Sequence, residues 1–332
     1  MASVRYARCC RPAQRNTILR IRGLLSSRPF ECPPVLLEQA QRRPSVTTAI
    51  ANAGSALALE SAKQAAEKDL IEPILVGDRN DIARTADEIE WEIRGYEIFH
   101  AYDEEEAAVK AAKLAGHGSA GALMKGHVHT DTFMMAMLNR DSGLRTGRRL
   151  THVFHMTVPD QDKALLITDA AINIAPDLET KFGATRNAVH LAHCLGISIP
   201  RVAILSGTEE ATDRMPSSMD AVALAERASE ELDGALVYGP LAFDNAVSPE
   251  AARIKGIDHP VAGNADILVV PNIETGNALF KIMVYFMSAC AAGIVLGAKV
   301  PAILTSRADP PEARLASAAI AAILAGDQEQ QS

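Results

Sequence analysis

Strand-length apolar runs alternate with helical stretches along nearly the whole chain, and this alternation constrains its fold more than any other feature. Residues 46–51 are apolar or β-branched and form a run short enough for a strand, whereas residues 55–68 place Leu57, Ala58, Ala62, Ala65 and Ala66 on one helical face. The alternation recurs up to a final predicted helix at residues 311–324. It predicts an α/β fold with a mostly parallel sheet and helices on both faces.

A polar, basic and glycine-containing segment interrupts this pattern at residues 139–150. Its sequence, NRDSGLRTGRRL, is typical of a connection rather than of a helix or a strand. A chain of 332 residues is long enough for two domains. We therefore expect two lobes that meet near residue 150.

The charge balance argues against nucleic acid as a partner. The formal net charge is −8, whereas proteins that bind phosphate backbones need a basic surface. The five cysteines show neither zinc-ligand nor regular disulfide spacing, which predicts a reduced, cytoplasmic setting. They are Cys9, Cys10, Cys32, Cys194 and Cys290.

Two segments bear on targeting and on membranes. Residues 1–30 contain seven arginines and no acidic residue, which is typical of a transit peptide, of a disordered extension or of a start codon chosen too far upstream. We expect residues 1–33 to be a basic, disordered extension. Residues 282–298 carry no charge but are at the short limit for a membrane span. For them we predict a buried helix and then a buried parallel strand, and no membrane.

Polar side chains follow several predicted strands. Lys125 and His127 follow one strand, and Thr305 and Ser306 follow another. The active loops of parallel sheets lie beyond the carboxyl ends of their strands. These residues are therefore candidates for contact with a substrate.

Two further motifs combine turn residues with hydrogen-bonding side chains. The sequence GPLAFDNAVS places Gly239, Asp244 and Asn245 after a strand, where Asp and Asn serve either a ligand or a turn and a helix cap. The sequence PNIETGN, with Asn272 and Asn277, leads into a helix. The N–H groups at that helix start either bind an anion or need only a cap.

The motif TSRAD lies between a buried strand and the last helix. Arg307 can make planar, bidentate contacts with phosphate, and Ser306 adds a hydrogen-bond donor. Asp309 is either a general base or the ion-pair partner of Arg307.

These motifs, in this order, resemble those of the phosphate acetyltransferase and phosphate butyryltransferase family. The resemblance is stronger to the butyryl-type members than to the acetyl-type members. The stretches ALMKGHVHT, GLRTG, HVF and LLITDAAINIAPDLETK are also similar, so the resemblance extends over residues 34–325. The chain is similar too to the acyltransferase half of proteins that join it to an enoyl-CoA hydratase-like domain. The roughly 30 leading residues leave no room for such a domain.

The resemblance implies a fold of two α/β lobes with a cleft between them, like that of isocitrate and isopropylmalate dehydrogenases. It predicts a first lobe of residues 34–150 and 291–332, which the returning C-terminal segment completes. Residues 151–290 then form the second lobe. The resemblance also implies a homodimer.

The resemblance further implies an activity and the residues that perform it. We expect reversible transfer of a short acyl group between coenzyme A and inorganic phosphate, through an acyl phosphate. No cofactor or metal is expected, and coenzyme A is a substrate. The candidate catalytic residues are Ser306, Arg307 and Asp309. The candidates for substrate binding are Lys125, His127, Arg145, Gly239, Asp244, Asn245, Asn272, Asn277 and Thr305.

This chain departs from the family at two positions. The acetyl-type members carry a proposed base Asp where this chain has Ala313, so Asp309 from the butyryl-type motif is the candidate base. Many relatives carry an Arg near residues 132–135, where this chain has none. The candidates to replace it are Arg140, Arg145 and Arg148.

Two alternatives stay open on the sequence alone. One is a metal- and NAD(P)-dependent dehydrogenase of similar fold, although no HExxH motif, no G-x-G-x-x-G fingerprint and no metal-binding Asp cluster is apparent. We interpret the histidines near residues 127–155 as ordinary polar positions rather than as metal ligands. The other is a non-catalytic coenzyme A-binding relative, which the missing arginine favours.

Overall fold

The structure, a computed structural model, describes residues 25–306 and 308–330. The candidate catalytic residue Arg307 lies outside the described residues, and so does the predicted extension up to residue 24. Residues 25–33 lead into the first helix.

Within the described residues, helices and strands alternate much as the sequence predicts. The strands are β1 (Val46–Ala51), β2 (Ile71–Gly77), β3 (Glu97–His100), β4 (Ala122–Lys125), β5 (Thr151–Thr157), β6 (Leu165–Thr168), β7 (Arg201–Leu205), β8 (Leu236–Leu241), β9 (Ile267–Val269), β10 (Cys290–Leu296) and β11 (Ala302–Ile303). The α-helices are α1 (Pro34–Gln41), α2 (Ala56–Glu67), α3 (Arg79–Glu88), α4 (Glu104–Gly116), α5 (Thr130–Leu138), α6 (Leu178–Cys194), α7 (Pro216–Glu231), α8 (Phe243–Val247), α9 (Pro249–Ile254), α10 (Ile273–Met287) and α11 (Pro311–Gln330).

Side-chain caps fix where several of these helices begin. Ser55 accepts a hydrogen bond from the Ala58 N–H at the start of α2. Asp103 and Asn272 cap α4 and α10 in the same way. Each cap satisfies one of the N–H groups that the first turn of a helix leaves without a partner.

All the described strands belong to one sheet, in the order β3-β2-β1-β4-β11-β10-β5-β6-β9-β7-β8. Seven strand pairings are parallel, and three are antiparallel. The prediction of an α/β fold with a mostly parallel sheet is confirmed.

The centre of the sheet differs from the sequence prediction. A strand does follow a helix between residues 282 and 298, but β10 is antiparallel to both of its neighbours, β5 and β11. Burial on both faces makes an apolar run in either direction, so hydrophobicity alone did not reveal the orientation. The predicted buried helix was also wrong, because Ile282, Tyr285 and Phe286 of α10 are about half exposed.

The core differs between the two faces of the sheet. Side chains alternate along each strand, so Val46 and Ile50 lie on one face and Ala49 and Ala51 on the other. The first face has one continuous cluster beneath α1, α2, α6, α7 and α11. The second face has two separate clusters, one against α4 and α5 and the other against α8 to α10. A gap therefore remains over the central strands on the second face.

The division into two lobes stays a prediction, since one sheet connects all the described strands. The C-terminal segment does return to the first half of the chain, where β11 pairs with β4. In the part of the chain that the structure describes, no helix is long and apolar enough to cross a membrane.

Candidate active site

A cavity of about 410 Å³ lies in the gap between the two core clusters on the second face. Strand ends from both halves of the sheet reach it. Lys125 ends β4, and Thr305 follows β11. Ala170 follows β6, and Ile273 begins α10 after β9. We call this cavity the cleft.

One side of the cleft, the polar wall, consists of Lys125, Thr305, Ser306 and Asp309. The last three belong to a turn in which the Asp309 carboxylate accepts a hydrogen bond from the Ser306 N–H at 2.6 Å. The Asp309 N–H in turn donates to the Ser306 carbonyl at 3.1 Å. These two bonds fix the loop between β11 and α11 so that Asp309 faces the cleft.

Burial raises the pKa of Asp309 above its ordinary value. The Ser306 N–H and the cations Arg314, Lys125 and Lys281 oppose this shift. A carboxylate whose pKa is raised toward neutrality is a stronger general base, provided that it stays deprotonated at the working pH.

The opposite side of the cleft, the apolar wall, consists of Phe154, Ala170, Ile273 and Phe280. The Phe154 and Phe280 rings are stacked with their centroids 4.1 Å apart and their planes at 26°. Asn277 and Lys281 of α10 also line the cleft. The cleft thus has hydrogen-bonding groups on one side and an apolar surface on the other.

His152 forms the floor between the two walls. It is fully buried, and neither ring nitrogen forms a hydrogen bond of ordinary geometry with the described residues, although the Leu304 backbone lies close enough to raise its pKa. Burial lowers its pKa, against the opposing charge of Asp169, so the ring is neutral at physiological pH. A side chain at Gly293 of β10 would place its Cβ 2.8 Å from the His152 Nε2 atom. Only glycine at this position leaves room for the ring.

A second, smaller cavity adjoins the polar wall and shares Lys125, Thr305 and Ser306 with the cleft. It has about 30 Å³ of space and is also lined by Ser55, which caps α2, by Ser61 of α2, by His127 and by Arg314 of α11. The Arg314 Nη1 group donates to the Asp309 carbonyl at 2.5 Å.

The structure brings together several residues that the sequence predicted for the site. Asp309, Ser306, Thr305, Lys125 and Asn277 all line the cleft. His127 lines the smaller cavity beside them, and its side chain is exposed.

Other predicted residues have structural partners away from the cleft. Asn272 caps α10 through Thr275. Asn245 is buried and donates to Glu209 at 2.6 Å. Asp244 is exposed in α8, and Gly239 lies in β8 against Ile204.

Arg145 is exposed and forms a β-bridge with Ala298. The other two arginines proposed to replace the missing one, Arg140 and Arg148, are exposed as well. None of the three lines the cleft or the smaller cavity.

Sequence analysis missed Arg314, Phe154, Phe280 and the role of His152 as the floor. The sequence position of Arg314 could have indicated its place in the site, because it lies in the first turns of the helix that follows TSRAD. The others had no such indication, because an aromatic residue in a strand or a helix is usually part of a core.

Comparison with known proteins agrees with this geometry. The model of the family "Phosphate acetyl/butaryl transferase" matches residues 104–322. The chain is 46% identical to the phosphate acetyltransferase of Rhizobium meliloti over 291 residues, which are 87% of this chain and 92% of that protein. It is 41% identical to the phosphate butyryltransferase of Clostridium beijerinckii, over 87% of this chain and 96% of that protein.

Among solved structures, the fold is similar to a branched-chain phosphotransacylase from Enterococcus faecalis V583. The TM-score is 0.75 at 33% sequence identity, over 84% of this chain and 99% of that one. The chain belongs to the phosphate acetyl/butyryltransferase family and is an acyltransferase.

Proposed function

We propose that the cleft is the active site of a phosphate acyltransferase, which reversibly transfers a short acyl group between coenzyme A and inorganic phosphate. The observation that carries this proposal is the pairing of the two walls around one cleft. The polar wall provides a candidate base and donors for phosphate, and the apolar wall provides a surface for the acyl chain.

In the direction of acyl-CoA synthesis, the coenzyme A thiol must first lose its proton, because the thiolate is the nucleophile. We assign this proton to the Asp309 carboxylate. The thiolate sulfur then attacks the carbonyl carbon of the acyl phosphate. The C–S bond forms, the C–O bond to the phosphoryl group breaks, and phosphate leaves. In the reverse direction the phosphate oxygen attacks the thioester and the thiolate leaves.

The developing negative charge needs fixed hydrogen-bond donors and cations close to the polar wall. Lys125 provides a cation, and Thr305 and Ser306 provide hydroxyl groups. Holding both substrates in one cleft also lowers the barrier by several kcal/mol, because their relative motion is already restricted. We assign Arg307 to the same phosphate contact from its position in TSRAD.

The experiment that tests the activity follows free thiol release from acetyl-, propionyl- and butyryl-CoA, with and without inorganic phosphate and with no metal added. We expect release only with phosphate, and a sharp fall in Arg307→Ala. Arg253→Ala, on the exposed surface of α9, is the matched control and should retain the activity. A protein that binds coenzyme A but releases no thiol from any of the three would exclude the catalytic proposal and favour the binding-protein alternative.

We also propose a homodimer that buries the exposed apolar face of α10. Ile282, Tyr285, Phe286 and Met287 are 44–50% exposed, and contiguous exposed apolar surface commonly marks an interface. Sedimentation should therefore give twice the mass of the chain, and Tyr285→Glu should give the monomer. Ile199→Glu, at an equally exposed position elsewhere, should stay dimeric. A wild-type monomer at micromolar concentration would contradict this proposal.

The two-lobe organisation is a further proposal. The split core on the cleft face supports lobes of residues 34–150 with 291–332 and of residues 151–290. Lobes that close on their substrates should give a smaller radius of gyration in solution scattering when coenzyme A is added. An unchanged radius would argue for a rigid cleft.

A further inference from the structure

The smaller cavity has the dimensions of a site for a small anion. Its space of about 30 Å³ is enough for about two water-sized groups. It shares Lys125, Thr305 and Ser306 with the cleft. Two oxygens of a tetrahedral anion that lies at the polar wall can therefore enter it, whereas an acyl chain cannot.

Arg314 of α11 is the buried cation of this cavity. The residue is 8% exposed, and its Nε atom is buried without a hydrogen-bond partner among the described residues. The one described hydrogen bond of its side chain goes to a neutral carbonyl, that of Asp309. Burial lowers its pKa, while the more distant carboxylates of Asp309, Glu60 and Glu312 raise it.

None of the ion pairs within 4 Å in the described part of the chain involves Arg314. A buried guanidinium group without a direct counter-ion is costly, and an unpaired N–H adds to that cost. A bound anion would remove both costs. Arg is also the side chain best suited to a phosphate, because its N–H groups match the spacing of two oxygens.

The first turn of α2 provides a second group of donors for the same anion. This helix has twelve residues, and its cap residue Ser55 lines the cavity together with Leu57 and Ala58. The Ser55 hydroxyl accepts from the Ala58 N–H, and the Ser55 carbonyl accepts from the Leu59 N–H. The remaining N–H groups of the first turn have no partner within the helix, and the helix dipole favours negative charge at this end.

We infer that Arg314 and the N-terminal turn of α2 bind oxygens of the phosphate group that enters or leaves in the reaction. Arg314 thereby replaces the arginine that the chain lacks near residues 132–135. Arg140, Arg145 and Arg148 do not line the cavity, so the structure favours Arg314 over each of them. This inference rests on the proposed function, because it assigns a substrate subsite to the same cleft.

Steady-state kinetics of Arg314→Gln test the inference, at a pH where kcat no longer changes with pH. We expect the KM for inorganic phosphate to rise about 10- to 100-fold, because this is the usual effect of losing a hydrogen bond to a charged group. The KM for acyl-CoA should change less than about twofold. Arg314→Lys keeps the charge and should recover part of the loss. Arg253→Gln, on the exposed surface, is the control and should match the wild type.

A second variant separates anion binding from support of the Asp309 loop. The Ser61 hydroxyl lines the cavity and donates to the Leu57 carbonyl at 2.6 Å, and its described hydrogen bond does not involve the Asp309 loop. Ser61→Val should narrow the cavity and raise the KM for phosphate, while the acid limb of the pH–rate profile for acyl-CoA synthesis, in which Asp309 acts as base, stays in place. If Arg314→Gln only lowers kcat or shifts that limb, and Ser61→Val has no effect on KM, Arg314 merely positions Asp309 and the inference is wrong.

Calorimetry identifies which phosphate group is bound. Inorganic phosphate, titrated into the full-length wild type, should bind, and binding should weaken in Arg314→Gln. Coenzyme A should bind equally well to both proteins. Weaker coenzyme A binding with unchanged phosphate binding in Arg314→Gln would assign the cavity to a phosphate of coenzyme A. If Arg145→Gln weakens phosphate binding more than Arg314→Gln does, Arg145 rather than Arg314 replaces the missing arginine. Either result would overturn the inference. Phosphate binding without turnover in the wild type would instead contradict only the proposed function.

Discussion

The two walls of the cleft come from opposite halves of the sheet and differ in chemistry. The polar wall follows β4 and β11, whereas the apolar wall belongs to β5, to the loop after β6 and to α10. In the proposed function, the ionic groups for phosphate therefore lie on one side, and the surface for the acyl chain lies on the other. This separation predicts that substitutions on the polar wall change the rate or phosphate binding, and that those on the apolar wall change acyl preference.

The largest effect should come from the polar wall. Asp309→Asn keeps the shape of the side chain but removes the base, so we expect kcat to fall about 10²- to 10⁴-fold. Acyl preference should not change. Loss of free thiol from coenzyme A with saturating acyl phosphate, the direction in which the thiol is deprotonated, measures kcat, and the ratio of kcat/KM for butyryl phosphate to that for acetyl phosphate measures acyl preference.

Asp220→Asn is the matched control, because Asp220 pairs with Lys181 away from the cleft. A tenfold or smaller loss in Asp309→Asn would mean that another group removes the thiol proton. The acid limb of the pH–rate profile adds a second test. Since burial raises the pKa of Asp309, the rate of acyl-CoA synthesis, which needs the deprotonated carboxylate, should fall with decreasing pH at a higher pH than for an ordinary Asp.

A smaller effect should come from the apolar wall. Phe280→Ala removes one ring of the stacked pair and lengthens the space available to the acyl chain. The ratio of kcat/KM for butyryl-CoA to that for acetyl-CoA should rise about tenfold, within the range known for one or two methylenes. The KM for phosphate should stay the same.

Phe243→Ala is the matched control, because Phe243 is a 45% exposed phenylalanine outside the cleft. If Phe280→Ala lowers the rate equally with every acyl-CoA, the apolar wall does not determine the preference for acyl length. The division of roles between the two walls would then be wrong.

The sequence predicted the polar wall far better than the apolar wall. Thr305, Ser306 and Asp309 are adjacent in one motif at the end of a strand, so local rules were sufficient to place them together. Phe154 and Phe280 are 126 positions apart and meet only through the pairing of β5 with its neighbours. Their chemistry is that of ordinary core residues, and no local pattern distinguished them.

The same reasoning explains the fold. Strands and helices were predictable because each has its own hydrophobic period, and the return of β11 to β4 agreed with the resemblance. The direction of β10 was not predictable, because the direction of a strand depends on how it pairs rather than on local hydrophobicity. Arg314 was missed for a related reason, since a single cation in a helix has meaning only once its burial is known.

The smallest effect concerns Lys281, a residue that crosses the division between the walls. It extends from α10, on the side of the apolar wall, yet its charge is among those that lower the pKa of Asp309. Lys281→Ala should therefore raise that pKa. Because the base must be deprotonated, the acid limb should move to higher pH, by a fraction of a unit at low salt and by less at high salt.

Lys281→Arg keeps the charge and should leave the limb in place. A shift in Lys281→Ala without a change in acyl preference would show that the two walls are coupled through charge alone. A changed acyl preference would mean instead that α10 itself moves when Lys281 is removed, because its ammonium group lies 5.9 Å from the Phe280 ring centroid. The separation between the walls would then depend on the position of one helix.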